Sequence, residues 1–395
     1  MKLFMIVSSL DLTQPFSATP AWWQLFKGLY EIGVEVIAAP YQGPAIEAPW
    51  WQAAANPARR EGDAFKWLRD RWRRLGGARA ASSEATPAAP DTLSDRLVRQ
   101  VAQKTIAPRW RAHVDRVMAA HPDIDAVLII TVPLNHITGL ARHIVTRHGK
   151  PVFFYDGDVP ASLPNFRGFA SGFRIYQGAD PAEYTAFLSN SLGGAEGLRA
   201  LGAREVHALY YGADPDLFSP LDVPQDLDVF FYGHGREYRG EWIDAMLRDP
   251  SAALPDARFA VRGTALGELG RVDRLPYLSF SKLREYACRS KLNLVITRQA
   301  HASVFASSSS RPFELAALGA CMVCNPYEGI ETWFEPDREL VVVHSGEEAI
   351  ERYRWLLQHD AERRKMGAAA RERLLKEHTF RHRARQLVDI VRGYL

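Results

Sequence analysis

Short apolar runs alternate along this chain with stretches in which apolar residues recur every three or four positions, a pattern that predicts strands alternating with helices. Residues 3–8 form one such run, followed by Trp22, Leu25, Phe26, Leu29 and Tyr30 at helical spacing, which predict a helix over residues 22–32 ended by Gly33. Residues 34–39 predict the next strand, and a strand-helix-strand crossover of this kind favours parallel pairing. The same rhythm resumes with a strand at 126–132, a helix near 135–147 and a strand at 151–155. Residues 184–188 read as a short hydrophobic helix, a second helix ends at Leu201-Gly202-Ala203, and a strand follows at 206–211.

Two stretches interrupt the rhythm. Residues 44–95 carry Pro44, Pro49, Pro57, Pro87 and Pro90, and they predict a surface excursion with one helix, part of an insertion near 44–115. Within it, Phe65, Leu68, Trp72 and Leu75 form an apolar stripe crowded by Lys66, Arg69, Arg71, Arg73 and Arg74, which suits core packing with a solvated basic face or, alternatively, a peripheral membrane contact or a site for an anionic acceptor. Residues 213–227, rich in proline and aspartate, predict a linker. Beyond it a buried strand at 228–232 runs into Gly233 and Gly235 and then a helix, another strand spans 291–298, and amphipathic helices cover 347–358, 361–377 and 381–394.

Composition narrows the class. With 395 residues, 47% hydrophobic and 24% charged, the chain suits two or three soluble domains, and a formal charge of +3 gives no whole-chain argument for nucleic acid. The cysteines Cys288, Cys321 and Cys324 make no disulfide framework, no apolar run is long enough to cross a membrane, and the start is too quickly polar for a secretion signal, so a cytoplasmic location is expected. The spacing Cys321-Met-Val-Cys324 lacks the second pair a zinc site needs, and it lies in an apolar strand whose side chains three apart face opposite ways.

The candidate chemistry sits after strand ends, where open α/β sheets bind ligands. Residues 8–20 hold no glycine, which argues against a dinucleotide there. Asn135 and His136 follow one strand, and Asp156 and Asp158 another; His136 and Asp156 are candidate catalytic groups, with a cap and a turn as the plainer alternatives. In the second half, Gly233 and Gly235 could present amides to phosphate beside Arg236 or Arg239, or they could simply turn the chain. Ser307 to Ser310 and Arg311 precede a short helix in whose first turn Glu314 is expected, where a carboxylate can accept two hydrogen bonds from the vicinal hydroxyls of a ribose or merely favour the helix dipole.

Taken together, the turn at 212–220 ending in Asp214, Phe218 and Pro220, the segment Arg311-Pro-Phe-Glu314, the turn Glu328-Gly-Ile-Glu331 and the segment His378-Thr-Phe resemble group 1 glycosyltransferases of the GT-B type, most closely the CgeB-like branch. The resemblance covers residues 175–395 well and the first 175 only in general architecture. It implies an α/β fold of two Rossmann-like domains with parallel sheets facing a central cleft: residues 1–215 for the acceptor, 222–377 for a nucleotide sugar, and 378–395 as a helix packing back on the first domain. It also implies glycosyl transfer with retention of configuration, with Glu314, Arg239, Arg311, Gly233, Gly235, Arg236, Ser310 and Glu331 at the donor and no metal or other cofactor. The acceptor could be a glycan, a lipid-linked group or a small molecule. A nucleotide-sugar epimerase and a non-catalytic scaffold on the same fold are the rival readings. The chain departs from the wider group in lacking a second glutamate some seven or eight residues before Glu314.

Overall fold

The computed structural model describes residues 1–12, 20–64, 93–164, 175–276 and 280–395. The apolar runs become strands: β1 (Lys2–Ser9), β2 (Glu35–Gln42), β3 (Gln52–Ala53), β4 (Ala126–Ile130), β5 (Val152–Asp156), β6 (Ala186–Ser189) and β7 (Val206–Ala208) build one lobe. They form a parallel sheet of order β3-β2-β1-β4-β5-β6-β7, as buried apolar strands joined by crossovers require. A second parallel sheet, β10-β9-β8-β11-β12-β13, builds the other lobe from β8 (Leu227–Tyr232), β9 (Phe259–Arg262), β10 (Asp273–Arg274), β11 (Ser290–Val295), β12 (Met322–Cys324) and β13 (Val341–Val342).

Helices cover both faces of each sheet, so each lobe has two apolar layers. In the first lobe these are α1 (Ala21–Glu31), α2 (Leu93–Ala120), α3 (Leu140–His148) and α4 (Ala195–Ala200). In the second they are α5 (Asp249–Ala253), α6 (Phe280–Cys288), α7 (Gln299–Ala302), α8 (Ser310–Ala317), α9 (Gly346–Gln358) and α10 (Asp360–Glu377). The last helix, α11 (Phe380–Arg392), returns to the first lobe and packs on α1, placing Phe380, Ala384, Leu387 and Val388 in the core with Leu3 and Phe26. Contact is close enough that a Cβ on Gly28 of α1 would lie 2.7 Å from the Phe380 carbonyl oxygen, so only glycine fits there.

The chain crosses between lobes twice, side by side: Ala213 bridges Thr379, and Arg383 Nε donates to the Tyr211 carbonyl at 2.9 Å. Lys27 of α1 ties this junction by ion pairs to Glu31 (2.8 Å), Asp214 (2.7 Å) and Asp216 (2.7 Å).

Three local expectations are corrected. Residues 184–188 were expected as a helix, but Ala186–Ser189 is strand β6; a run buried on both faces of a parallel sheet has no polar positions to reveal its period. The region 44–115 is not wholly an excursion: β3 extends the first sheet, Trp51 packs edge-on against Trp22 and Phe26, and Trp110 and Val114 of α2 are core. The basic stripe from Phe65 to Leu75 lies outside the described residues. Glu314 is the fifth residue of α8, in its second turn, because the helix begins at Ser310. Among the described residues no helix is long and apolar enough to cross a membrane.

Candidate functional site

All strands in each sheet are parallel, so the loops that follow them gather at the carboxyl edge, and the two edges meet. The seam is hydrogen-bonded: Ser308 N donates to Asn190 O at 2.8 Å, Asn190 Nδ2 donates to Ser308 O at 2.9 Å, and the Ser191 and Ser307 hydroxyls lie 2.5 Å apart. Gly193 N donates to Phe305 O at 2.9 Å. Ser307 and Ser308 are thereby fully buried in the lobe junction, while Ser309 and the expected donor residue Ser310 stay half-buried at the start of α8. Beside the seam Arg298, just after β11, pairs through Nη2 with Asp158 of the first lobe, and His301 Nε2 lies 3.7 Å from the same carboxylate oxygen.

Behind the seam the second lobe concentrates positive charge. Arg262 ends β9 and lies over the Tyr232 ring with 4.8 Å from guanidinium carbon to ring centre; Arg311 lies over the same ring at 4.3 Å. His234 shares a 2.6 Å contact with Arg262 Nη1, and burial together with Arg262, Arg239 and Arg311 lowers its pKa to about 4, so it is neutral at pH 7. His301 is lowered well below the ordinary range by burial, then by Arg298 and Arg239.

Glu314 lies within this basic surround with 0% exposure, and neither of its carboxylate oxygens has a hydrogen-bond partner. Arg311 Nη1 stands 3.2 Å from its Oε2 but without hydrogen-bond alignment, and Nη1 is itself unsatisfied. Burial pushes the Glu314 carboxyl up and the Arg311 guanidinium down, with Arg311 partly opposing the rise in Glu314. A buried carboxylate with no donor is costly and needs an explanation in what completes it. Ser309 makes no side-chain cap to α8.

The other expected groups divide. Arg239 is in the cluster, where its Nε donates to Ile296 O at 2.9 Å and its Nη1 to the carbonyls of His234 and Gly235, bracing the glycine turn. The turn does not present phosphate-binding amides as expected: Gly233 N donates to Arg262 O (3.0 Å), Gly235 N to Thr264 O (3.1 Å) and Arg236 N to Ala265 O (2.7 Å), continuing the β8-β9 pairing past the strand ends. Gly235 is still required, at φ 74°. Arg236 turns away to Asp244 and does not neutralise charge in the cluster. Glu331 is exposed in a short turn whose neighbour Glu328 accepts from Ala306 N at 3.0 Å, so it sits over the seam.

Asp156, expected as a candidate base, is engaged within its own lobe. It is 1% exposed and accepts from Ser162 Oγ (2.6 Å), Tyr176 OH (2.5 Å) and Asp158 N (2.9 Å), which makes it an organiser of the loop after β5. Burial raises its carboxyl, with Ser162 and Tyr176 opposing. His136 is half-buried, its Nδ1 lies 2.8 Å from the Tyr41 hydroxyl, and burial followed by Arg99 lowers its pKa to about 4. Its neighbour Asn135 donates to Gln177 O at 3.1 Å. Arg262, Arg298, His234 and His301 were not singled out from the sequence, yet a charged residue closing an apolar run, as in Phe-Ala-Val-Arg262 and Val-Ile-Thr-Arg298, marks a carboxyl strand end. A groove of about 310 Å³ lined by Gln24, Asp214, Thr379 and Arg381 lies at the double crossing, away from this cluster.

Residues 236–389 match a protein family described as glycosyl transferase-like, and Arg239, Arg262, Arg298, Arg311 and Glu314 all fall in that span. No curated protein matches the sequence. Solved structures share the fold along the whole chain: a sucrose-phosphate synthase from Thermosynechococcus elongatus (13% identity, TM-score 0.66, covering 100% of this chain and 99% of that one), Anabaena HepE in complex with UDP (11%, 0.61, 100% and 100%), and a trehalose 6-phosphate synthase from Burkholderia multivorans (11%, 0.63, 99% and 98%). The architecture is therefore GT-B: two parallel-sheet Rossmann-like lobes around a cleft, with the final helix crossing back.

Proposed function

We propose that this chain transfers a glycosyl group from a nucleotide-activated sugar, held by the second lobe, to an acceptor held by the first. The observation that carries the reading is Glu314, a fully buried carboxylate with no hydrogen bond. The 2′- and 3′-hydroxyls of a ribose supply the two donors it lacks. A diphosphate beside it would meet Arg311, Arg262, Arg298 and the amino-terminal end of α8.

Charge develops on the departing nucleoside diphosphate as the glycosidic bond breaks, so fixed cations and amides there stabilise the transition state more than the bound donor. That cationic cluster supports a transfer that needs no metal at the donor. Retention of configuration, which the group 1 resemblance implies, is part of the proposal, and it is supported by Asp156 having its oxygens engaged by three donors. The Leu292-Asn293 strand, the serine loop and Arg311-Pro-Phe-Glu314 support placement in the CgeB-like branch, and the free cysteines Cys288, Cys321 and Cys324 suit a cytoplasmic location.

The test is thermal stabilisation by a panel of nucleoside diphosphates and nucleotide sugars, with UDP first because HepE was solved with it. A ligand at about 100 times its dissociation constant adds roughly 2.7 kcal/mol. We expect one nucleotide class to raise the melting temperature of the wild type and not of Glu314→Ala, and sugar release to require an acceptor. No shift with any nucleotide would sink the proposal, and an altered sugar released without acceptor would replace transfer by epimerisation.

A further inference from the structure

We propose that Asp115, His143 and His148 form a binding site for a divalent transition-metal ion of the zinc type on the outer side of the first lobe. His143 Nε2 lies 2.8 Å and His148 Nε2 2.7 Å from one and the same oxygen, Asp115 Oδ1. Each residue thus offers one ligand atom, and the three atoms lie within 4.8 Å of one another.

The fold sets this up from two elements. Asp115 lies on α2, while His143 and His148 lie on α3, which packs against it. Gly149 (φ 65°) stops α3 directly after His148, and the two imidazoles meet edge to face with ring centres 6.1 Å apart at 74°. Two imidazoles and a carboxylate form a borderline ligand set that suits zinc, cobalt or nickel and disfavours magnesium and calcium. Three protein ligands leave the fourth tetrahedral position for water. Side chains 18–29% exposed give an ion a way in. The remaining charged neighbour, Arg147, has Nε 3.4 Å from the same oxygen, but its side chain is 63% exposed and free to turn to solvent.

The site is separate from the cleft. His148 precedes the start of β5 and so lies toward the amino edge of the first sheet, whereas the arginine cluster and Glu314 lie at the carboxyl edge of the second. A bound ion would clamp α2 to α3. Because α2 also packs on the turn Leu134–His136, the clamp would steady the loop carrying His136. The inference stands whether or not the chain is a glycosyltransferase.

The experiment titrates the full-length, chelator-treated protein with Zn2+ and, separately, Co2+. We expect one equivalent bound, a rise in melting temperature, and visible Co2+ absorption of tetrahedral intensity. His143→Ala and His148→Ala should each weaken binding by more than about tenfold, the effect seen for groups that only support ligands, while His121→Ala leaves it unchanged. Absence of a stoichiometric site in the wild type overturns the proposal, as does affinity unchanged in both histidine variants. If a variant does not fold, the wild-type Co2+ spectrum decides: a purely octahedral spectrum also overturns it.

Discussion

Asp156 of the first lobe and Glu314 of the second are both buried near the carboxyl edges of their sheets, and the two are built in opposite ways. Asp156, 1% exposed, accepts three hydrogen bonds from its own lobe, whereas Glu314, 0% exposed, accepts none and has only a misaligned arginine at 3.2 Å. Burial raises both carboxyls, but the partners that oppose the rise are neutral donors in one case and a cation in the other. The contrast separates a polar group that completes a loop from one that its own lobe leaves without donors, the gap that the proposed ribose contact would fill.

The largest expected effect breaks the satisfied side. Asp156→Ala strands two hydroxyls and an amide, and unfolding should show a loss on the order of 3 kcal/mol; a loss below about 1 kcal/mol would mean that the loop repacks and the contrast is false. Glu314→Gln should act oppositely. Removing a buried, unbonded charge leaves the unliganded chain as stable or raises it by roughly 1 kcal/mol, while stabilisation by the nucleotide disappears; denaturant melts with and without ligand measure both.

The pH dependence sharpens the comparison further. A carboxyl whose folded pKa is raised contributes stability that is full below its ordinary value of 4.5 and is lost as pH rises through the raised value. Wild type should therefore lose ground to Glu314→Gln as pH rises above 4.5, and parallel stability curves would show that burial does not raise the Glu314 carboxyl in the folded chain. The smallest effect belongs to the bridge between lobes. Asp158 and Arg298 are each 31% exposed, so Arg298→Ala should cost only about 0.5 kcal/mol, yet small-angle scattering should show a wider separation of the lobes.

Much of the architecture was legible in the sequence because it is local. The runs that became β1, β8 and β11 carry their period in consecutive residues, and the segment around Arg311 and Glu314 is contiguous. The seam was not legible, since the pairing of Asn190 with Ser308 joins residues 118 apart and makes a serine run look like a polar loop. The glycine turn misled for a related reason: whether Gly233 and Gly235 offer their amides depends on the carbonyls of Arg262 and Thr264, at and just beyond the end of β9. Likewise Arg262 is ordinary in sequence and becomes part of a cluster only when parallel order places the ends of β8, β9 and β11 side by side.

The packing of α11 on α1 also sets an order of events during synthesis. The core that holds Leu3 and Phe26 also needs Phe380, Leu387 and Val391, which leave the ribosome more than 350 residues later. Until then α1 presents a bare apolar face around Gly28 to solvent or to a chaperone. The second lobe, whose sheet is complete by Val342, can close before the first, although its strands are translated after it.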